Sequence, residues 1–286
     1  MLSKLEKSLS RIDYRLYFAL LILGLVPAIY TSVRVFFLGQ LPGEWSFSIA
    51  GQLSWVNLIY EILNEAIILP LFYFVGQVKD DRGEFSNRVR TGMLISLVVY
   101  TCLSAAVLTF VEPMLKIMAT DRRTMEASAS YIRIESIANI FGILTQFAFV
   151  ALVTVYKSQY LYVLTGARLV LCLLSDTFLV STLPMSANLG VNGIGYSNII
   201  VNTLLLVVSF ALLSIEGIKV FSWRKLNFSW AKEFIKVGGI SGIESLVRNV
   251  AYMVMIARMV NVVGEQGTYW VANNFIWGWL LLPVLQ

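Results

Sequence analysis

The sequence predicts an all-α integral membrane protein, and three observations carry this prediction. Hydrophobic residues make up 58% of the 286 residues, whereas charged residues make up only 14%. The mean hydropathy is +0.75. Apolar runs of about 20 residues, the length at which a helix spans a bilayer, recur along the chain. A soluble domain of this length would not contain repeated runs of this kind.

The apolar runs predict eight transmembrane helices, which are separated by short loops that hold most of the basic residues. The first run follows the polar and basic residues 1–15 and is long enough to span, so it is interpreted as a helix of the protein rather than a cleavable signal. The helices are expected at 16–38, 50–76, 90–111, 128–156, 160–183, 193–215, 232–262 and 268–286.

Lysine and arginine fall mostly on one side of these helices. Fourteen lie in the stretches that share a side with the N-terminus, three (Lys116, Arg122 and Arg123) lie on the other side, and five fall within spans. This bias places the N-terminus in the cytoplasm. The basic stretch 216–231 then becomes a cytoplasmic linker between a six-helix unit, 1–215, and two helices of a second unit, 232–286. Because no polar residues close the eighth span, the chain is expected to be a fragment of a longer protein.

Composition excludes several classes of function. The chain has no histidine, which excludes a histidine proton relay or metal centre. Cys102 and Cys172 lie inside predicted helices, so they form neither a disulfide framework nor a metal site. The stretch 190–195 lacks the phosphate-binding loop pattern, and no soluble domain is present to bind ATP. The scattered basic residues do not favour nucleic acid, and no nucleophile–base pair indicates an enzyme.

Two segments of the chain resemble each other. Residues 24–34 (GLVPAIYTSVR) and 238–248 (GGISGIESLVR) share a glycine, an isoleucine and a terminal Val-Arg at one constant offset. Many transporters are built from internal repeats. This repeat predicts two parallel six-helix halves, in which Arg34 and Arg248 are partners that face one central cavity.

Four stretches of the chain carry a resemblance to a known family. They are 35–39 (VFFLG) with 49–51 (IAG), 129–132 (ASYI), 173–179 (LLSDTFL) and 189–197 (LGVNGIGYS). These stretches resemble the multidrug and toxic compound extrusion (MATE) family of cation-coupled antiporters, whose wider superfamily includes flippases for lipid-linked sugars. The resemblance covers essentially the whole chain and implies a fold of twelve helices in two lobes, of which eight helices are visible here.

The chain also departs from the family pattern. Many relatives have an acidic residue in helix 1, which helps to hold a coupling Na⁺ or H⁺, at the place where this chain has Arg34. Relatives typically have an asparagine four residues before the helix 5 aspartate, where this chain has Cys172. Another branch of the family has a glutamate midway along helix 7, and the nearest residues of this chain are Arg248 and Asn249. Asp176 is retained. The resemblance therefore implies only part of a cation site, with Na⁺ or H⁺ expected near Asp176 and no other cofactor.

Asp176 lies in the middle of predicted helix 5, where apolar surroundings suit a protonation switch. The alternative is a fixed ion pair with Arg168, eight residues earlier on the same face, or with Arg34. Arg34 taking the place of the coupling cation beside Asp176 is a further hypothesis that the substitution suggests.

Helix 2 carries a polar stripe, since spacings of four, seven and eight residues return to one face. Its members are Asn57, Glu61, Asn64 and Glu65. Two carboxylates one turn apart repel, so one is protonated or both share a cation. The stripe is either a cation or proton site in the cavity or a set of partners for Arg34.

Further polar residues complete the candidate site. Glu244 and Arg248, one turn apart, either pair with each other or leave Arg248 to bind an anionic group together with Arg34. Arg133 and Glu135 are interpreted as structural residues near the outer surface. The expected ion-coupling and cavity residues are Asp176, Arg34, Glu61, Glu65, Asn57, Asn64, Asn198 and Arg168; the expected substrate-binding residues are Arg248, Glu244, Asn249, Gln146, Asn139 and Tyr60.

The sequence leaves three alternative functions. The first is a monomeric antiporter of the inner cell membrane that exports organic, often cationic, compounds in exchange for H⁺ or Na⁺ by alternating access. The second is a flippase for a lipid-linked oligosaccharide or another anionic lipid. The third is a membrane scaffold or degenerate fragment that transports nothing.

Overall fold

The computed structural model describes residues 14–155, 158–218, 220 and 226–285. These residues form helices and loops and contain no strand. Most of the basic N-terminal stretch, Lys157 and all three basic residues of the predicted linker (Lys219, Arg224 and Lys225) lie outside them. The helices are α1 (Tyr14–Gly39), α2 (Ser46–Gly76), α3 (Arg82–Ile117), α4 (Met125–Val155), α5 (Ser158–Leu179), α6 (Asn192–Ile215), α7 (Ala231–Val262) and α8 (Gln266–Phe275).

Six of these helices, α2 to α7, are long and apolar enough to cross a membrane among the residues that the structure describes. This confirms the prediction of an all-helical, multi-pass membrane protein. The apolar part of α1 that is described, Gly24–Gly39, is shorter than a span, and α8 has only ten residues before a π-helical turn at Ile276–Leu280. The predicted total of eight spans therefore stays a prediction.

Two helix boundaries differ from the predicted ones for local reasons. α3 begins eight residues before the predicted start because Asp81 caps it, accepting hydrogen bonds from the backbone N–H groups of Gly83 (2.9 Å) and Glu84 (3.1 Å). α5 ends at Leu179 instead of residue 183. Its last carbonyls accept from the returning loop, where the N–H of Leu189 lies 2.8 Å from the Leu179 oxygen.

The first six helices pack around α4, which lies against α2, α3 and α6, while α5 packs on α6 and α1. Glycine allows the closest approaches. A Cβ at Gly195 of α6 would lie 2.6 Å from the Ile134 side chain of α4, and one at Gly193 would lie 2.6 Å from the Leu179 carbonyl. The largest fully buried side chains of this bundle include Trp55, Phe147, Leu152 and Leu205.

α7 and α8 dock on α2. Pro70 of α2 follows a π-helical turn at Asn64–Ile68 and has no N–H to donate to the Ala66 carbonyl. α7 approaches this carbonyl so closely that a Cβ at Gly238 would lie 2.1 Å from the Ala66 oxygen. The glycine is required for this contact.

Amide hydrogen bonds join the opposite end of α7 and the start of α8 to α2. The Gln52 amide donates to the Asn261 side-chain oxygen over 2.7 Å, and Asn261 donates to the Met118 carbonyl over 2.9 Å. Gln266 of α8 donates to the Gly51 carbonyl over 2.7 Å. The hydrogen bonds of Gln52, Asn261 and Gln266, named here the amide latch, lie at the end of the bundle that the sequence predicts to face outside.

Candidate functional site

A polar cavity of about 420 Å³ opens inside the first six helices, and we call it the bundle cavity. It is the place where most of the predicted site residues meet. Its wall contains nine side chains that the sequence analysis had named as site residues, two of which are arginines. They are Asn57, Tyr60, Glu61, Asn64, Asn139, Gln146, Asn198, Arg34 and Arg168.

Asp176 lies behind this wall and is fully buried. Arg34 of α1 donates from Nε to Asp176 Oδ2 over 2.7 Å and from Nη2 to Oδ1 over 3.3 Å. The guanidinium also lies over the ring of Tyr30, 5.1 Å from its centroid. Arg34, one of the two arginine partners that the sequence allowed, therefore neutralises Asp176 through both carboxylate oxygens.

The network continues to a residue that the sequence analysis missed. Arg34 Nη2 donates to Asn198 Oδ1, and Asn198 Nδ2 donates to Glu135 Oε1, each over 2.7 Å. Glu135, which was expected to be structural, is 3% exposed, and this hydrogen bond joins it to the network of Arg34 and Asp176. α4 begins three residues earlier than predicted, which puts Glu135 almost three turns inside the helix. Its spacing from Asn139, four residues on, was the signal available in the sequence.

Arg168 has a different partner from the one expected. Its Nη2 donates to Asn202 Oδ1 over 2.9 Å, and its guanidinium lies 5.7 Å from the centre of the Phe149 ring. Among the described residues, no carboxylate lies within ion-pairing distance of Arg168. The proposed Arg168–Asp176 pair is therefore wrong, and Arg168 brings an uncompensated positive charge to the cavity wall. Asn202, one turn after Asn198 on α6, was missed.

The polar stripe of α2 splits between two neighbours. Asn57, Glu61 and Asn64 line the bundle cavity, whereas Glu65 turns to α7 and accepts a hydrogen bond from Arg248. The same Arg248 nitrogen lies 4.0 Å from Glu61 Oε1. The cation that the two carboxylates share is thus an arginine of α7, and their expected pairing with Arg34 is wrong.

The alternative pair within α7 is also absent. Arg248 is turned toward α2, and Glu244 is exposed and has no ion pair with Arg248. A second cavity of about 430 Å³, the α2–α7 cavity, is lined by Arg248, Asn249 and residues of α8. Arg34 and Arg248 therefore line separate cavities, which corrects the prediction of one shared cavity. Glu61 lines both.

Three polar atoms in the wall of the bundle cavity are buried and have no hydrogen-bond partner among the described residues. They are the hydroxyl of Tyr100, Nδ2 of Asn139 and Oδ1 of Asn64. Tyr100 is 2% exposed. Native proteins satisfy nearly all buried polar atoms; each of these three has less than 1 Å² of accessible surface, so it does not reach the open space of the cavity. The described residues contain no cluster of three or more Cys, Asp or Glu side chains that could hold a metal ion.

The chain matches no family model and no curated protein. A solved structure described as "protein A" superposes on it with a TM-score of 0.74 at 16% sequence identity. The match covers 96% of this chain and 65% of that one, so this chain spans less than two thirds of that structure's length. At this level of identity the similarity shows a shared fold alone.

Proposed function

We propose that this protein is a secondary transporter, which moves organic compounds across the cytoplasmic membrane by alternating access. One observation carries the proposal: an apolar helical bundle encloses a cavity of about 420 Å³ lined by charged and amide side chains. Ionisable residues at membrane depth are costly and are generally retained for transport or binding. The similarity of the sequence to MATE antiporters, described above, agrees with this assignment.

The α2–α7 contact is the part of the fold that is suited to movement. Glu61 belongs to both cavities, and Arg248 contacts it across this interface. Each helix has a π-helical turn near the contact, Asn64–Ile68 in α2 and Met253–Ala257 in α7, and such turns are frequent at functional sites. In this proposal the amide latch holds the outer mouth closed, and its opening exposes the cavities to that side.

The contacts of Asp176 favour protons over sodium as the coupling ion. Both oxygens of Asp176 accept hydrogen bonds from Arg34, so the guanidinium occupies the place that a Na⁺ ion would take beside this carboxylate. Glu61 is about half exposed and faces the bundle cavity. We therefore assign proton exchange to Glu61 rather than to Asp176.

Transport in proteoliposomes tests the proposal. Vesicles that contain the reconstituted chain are loaded with ethidium. Efflux of the dye is recorded after a pH gradient or a sodium gradient is imposed. We expect the pH gradient to drive efflux, and the Glu61→Gln variant to lose most of it. Glu112→Gln is the matched control, because Glu112 is exposed and pairs with Arg133 at the surface of the bundle.

A flippase for an anionic lipid is the second candidate, and the uncompensated charge of Arg168 in the cavity favours it. Folded protein that moves no ethidium under either gradient would overturn the export of organic cations. If the protein in the same vesicles then moved a fluorescent phosphatidylglycerol between leaflets, the flippase function would be favoured. A vesicle that showed neither activity would exclude both functions.

A further inference from the structure

The walls of the bundle cavity carry unlike charges. On α2, Glu61 presents a carboxylate, and on α5, Arg168 presents a guanidinium. α5 packs on α1, α4 and α6, whereas α2 packs mainly on α4, α7 and α8, so the two charges lie on different walls of the cavity.

The remaining charges near the cavity do not cancel this separation. Arg34 is neutralised by Asp176, and Glu135 lies behind Asn198 and does not line the cavity. On the α2 side, Arg248 forms its close contact with Glu65 and lies 4.0 Å from Glu61. One arginine between two carboxylates leaves a net negative charge at this wall.

We propose that the bundle cavity binds a dipolar solute, a molecule that carries an ammonium group and a carboxylate at its two ends. The ammonium lies at Glu61, and the carboxylate lies at Arg168. A solute with only a positive charge leaves Arg168 without a counterion, and a solute with only a negative charge does the same to Glu61. This inference rests on the proposed function only for the statement that the bound solute is transported.

A set of three probes of equal chain length tests the charge pattern. Binding of 6-aminohexanoate, hexylamine and hexanoate to the purified chain in a neutral detergent is measured by titration calorimetry at pH 7. Since a charge-assisted hydrogen bond stabilises a complex more than a neutral one, we expect 6-aminohexanoate to bind at least about tenfold more tightly than either singly charged probe.

Two variants should each remove a different part of the preference for 6-aminohexanoate. Arg168→Gln should abolish the preference for 6-aminohexanoate over hexylamine, and Glu61→Gln should abolish its preference over hexanoate. Arg168→Lys keeps the charge and should keep the preference, which separates an electrostatic role from a role in folding. Arg133→Gln, which changes an arginine paired at the surface, should leave all three affinities as they are.

The outcomes that contradict the proposal are distinct. Equal binding of hexylamine and 6-aminohexanoate by the unaltered chain would show a simple cation site, and equal binding of hexanoate would show a simple anion site. Absence of binding by all three probes would also overturn it. Because the titration needs no gradient, a selective cavity in a chain that moves neither ethidium nor 6-aminohexanoate in vesicles would leave this inference standing and overturn only the proposed function.

Discussion

Two arginine clusters of this protein use the same chemistry in opposite surroundings. In the first, the Arg34 side chain is 11% exposed and Asp176 is completely buried. In the second, the Arg248 side chain is 52% exposed and lies between Glu61, 48% exposed, and Glu65, 21% exposed. The buried guanidinium contacts one carboxylate through two nitrogens, whereas the exposed one is shared between two carboxylates.

This difference separates a structural ion pair from a movable one. Breaking a buried pair leaves a charge without a partner in a medium that solvates it poorly, and this is strongly destabilising. Breaking a pair costs little where water can replace the lost partner, and Arg248 and Glu61 both line the open α2–α7 cavity. The Arg34 cluster therefore holds α1 to α5, and the Arg248 cluster can exchange partners at the contact between α2 and α7.

Removal of the buried guanidinium should have the largest effect. Arg34→Met leaves Asp176 buried without a partner, and we expect the free energy of unfolding to fall by about 3–5 kcal/mol. Unfolding in mixed detergent micelles, followed by tryptophan fluorescence, measures the change. Arg248→Met, in the exposed cluster, should cost no more than about 1 kcal/mol in the same assay.

The double variant Arg34→Met/Asp176→Leu provides the internal control. It removes both charges, so it should recover most of the stability that the single variant loses. If Arg34→Met proved as mild as Arg248→Met, the proposed division into a structural and a movable cluster would be wrong.

The second prediction concerns what holds α7 on α2 if the Arg248 cluster does not. Gly238→Ala places a Cβ within 2.1 Å of the backbone oxygen of Ala66, so the helices must separate. We expect a loss of about 1–3 kcal/mol in the free energy of unfolding. Gly239→Ala is the matched control, because no atom lies within 4 Å of its Cβ position. Alanine at this helical position should raise the free energy of unfolding by up to about 1 kcal/mol. Equal effects of the two variants would mean that close packing does not hold this contact.

The smallest effect is expected at an ion pair outside the membrane-spanning helices, Asp121 with Arg123. Hydrogen bonds from Arg123 lower the pKa of Asp121 from its usual 3.8 to about 2. Because the pKa is lower in the folded protein, the stabilisation is complete above pH 3.8 and disappears as the pH falls through 2.

Thermal unfolding between pH 5 and pH 2 tests this third prediction. Arg123→Gln should lower the melting temperature slightly at pH 5, and the difference from the unaltered chain should shrink toward zero as the pH approaches 2. Arg122→Gln, at the neighbouring exposed arginine, is the control. A difference that grew as the pH fell would contradict the assigned sign.

The sequence predicted the helices well and the partners of the charged residues only in part. Helix boundaries follow from runs of apolar residues, which are local, and six of the described helices are long and apolar enough to cross a membrane. The partner of Arg34 is a long-range choice. Asp176, Glu61 and Glu65 were all plausible from depth alone, and only the packing of α1 on α5 selects Asp176.

The split of the α2 stripe could not be predicted from α-helical spacing. Glu61 and Glu65 are one α-helical turn apart, so they were expected on one face. The π-helical turn at Asn64–Ile68 takes one residue more than an α-helical turn and changes the direction of the side chains that follow. Glu65 consequently points at α7, a helix whose position depends on the contact between Gly238 and Ala66.

The distance along the chain between Arg34 and Asp176 has a consequence for biosynthesis. The two residues are 142 positions apart, and a ribosome adds about 5–20 residues per second. Arg34 therefore emerges roughly 7–30 s before its partner has been made. Arg34 lies near the end of α1, which spans Tyr14–Gly39, so inserting it costs less than the roughly 2.5–3.5 kcal/mol of an arginine at a helix centre. We expect α1 to be held less firmly during this interval than after α5 supplies the carboxylate.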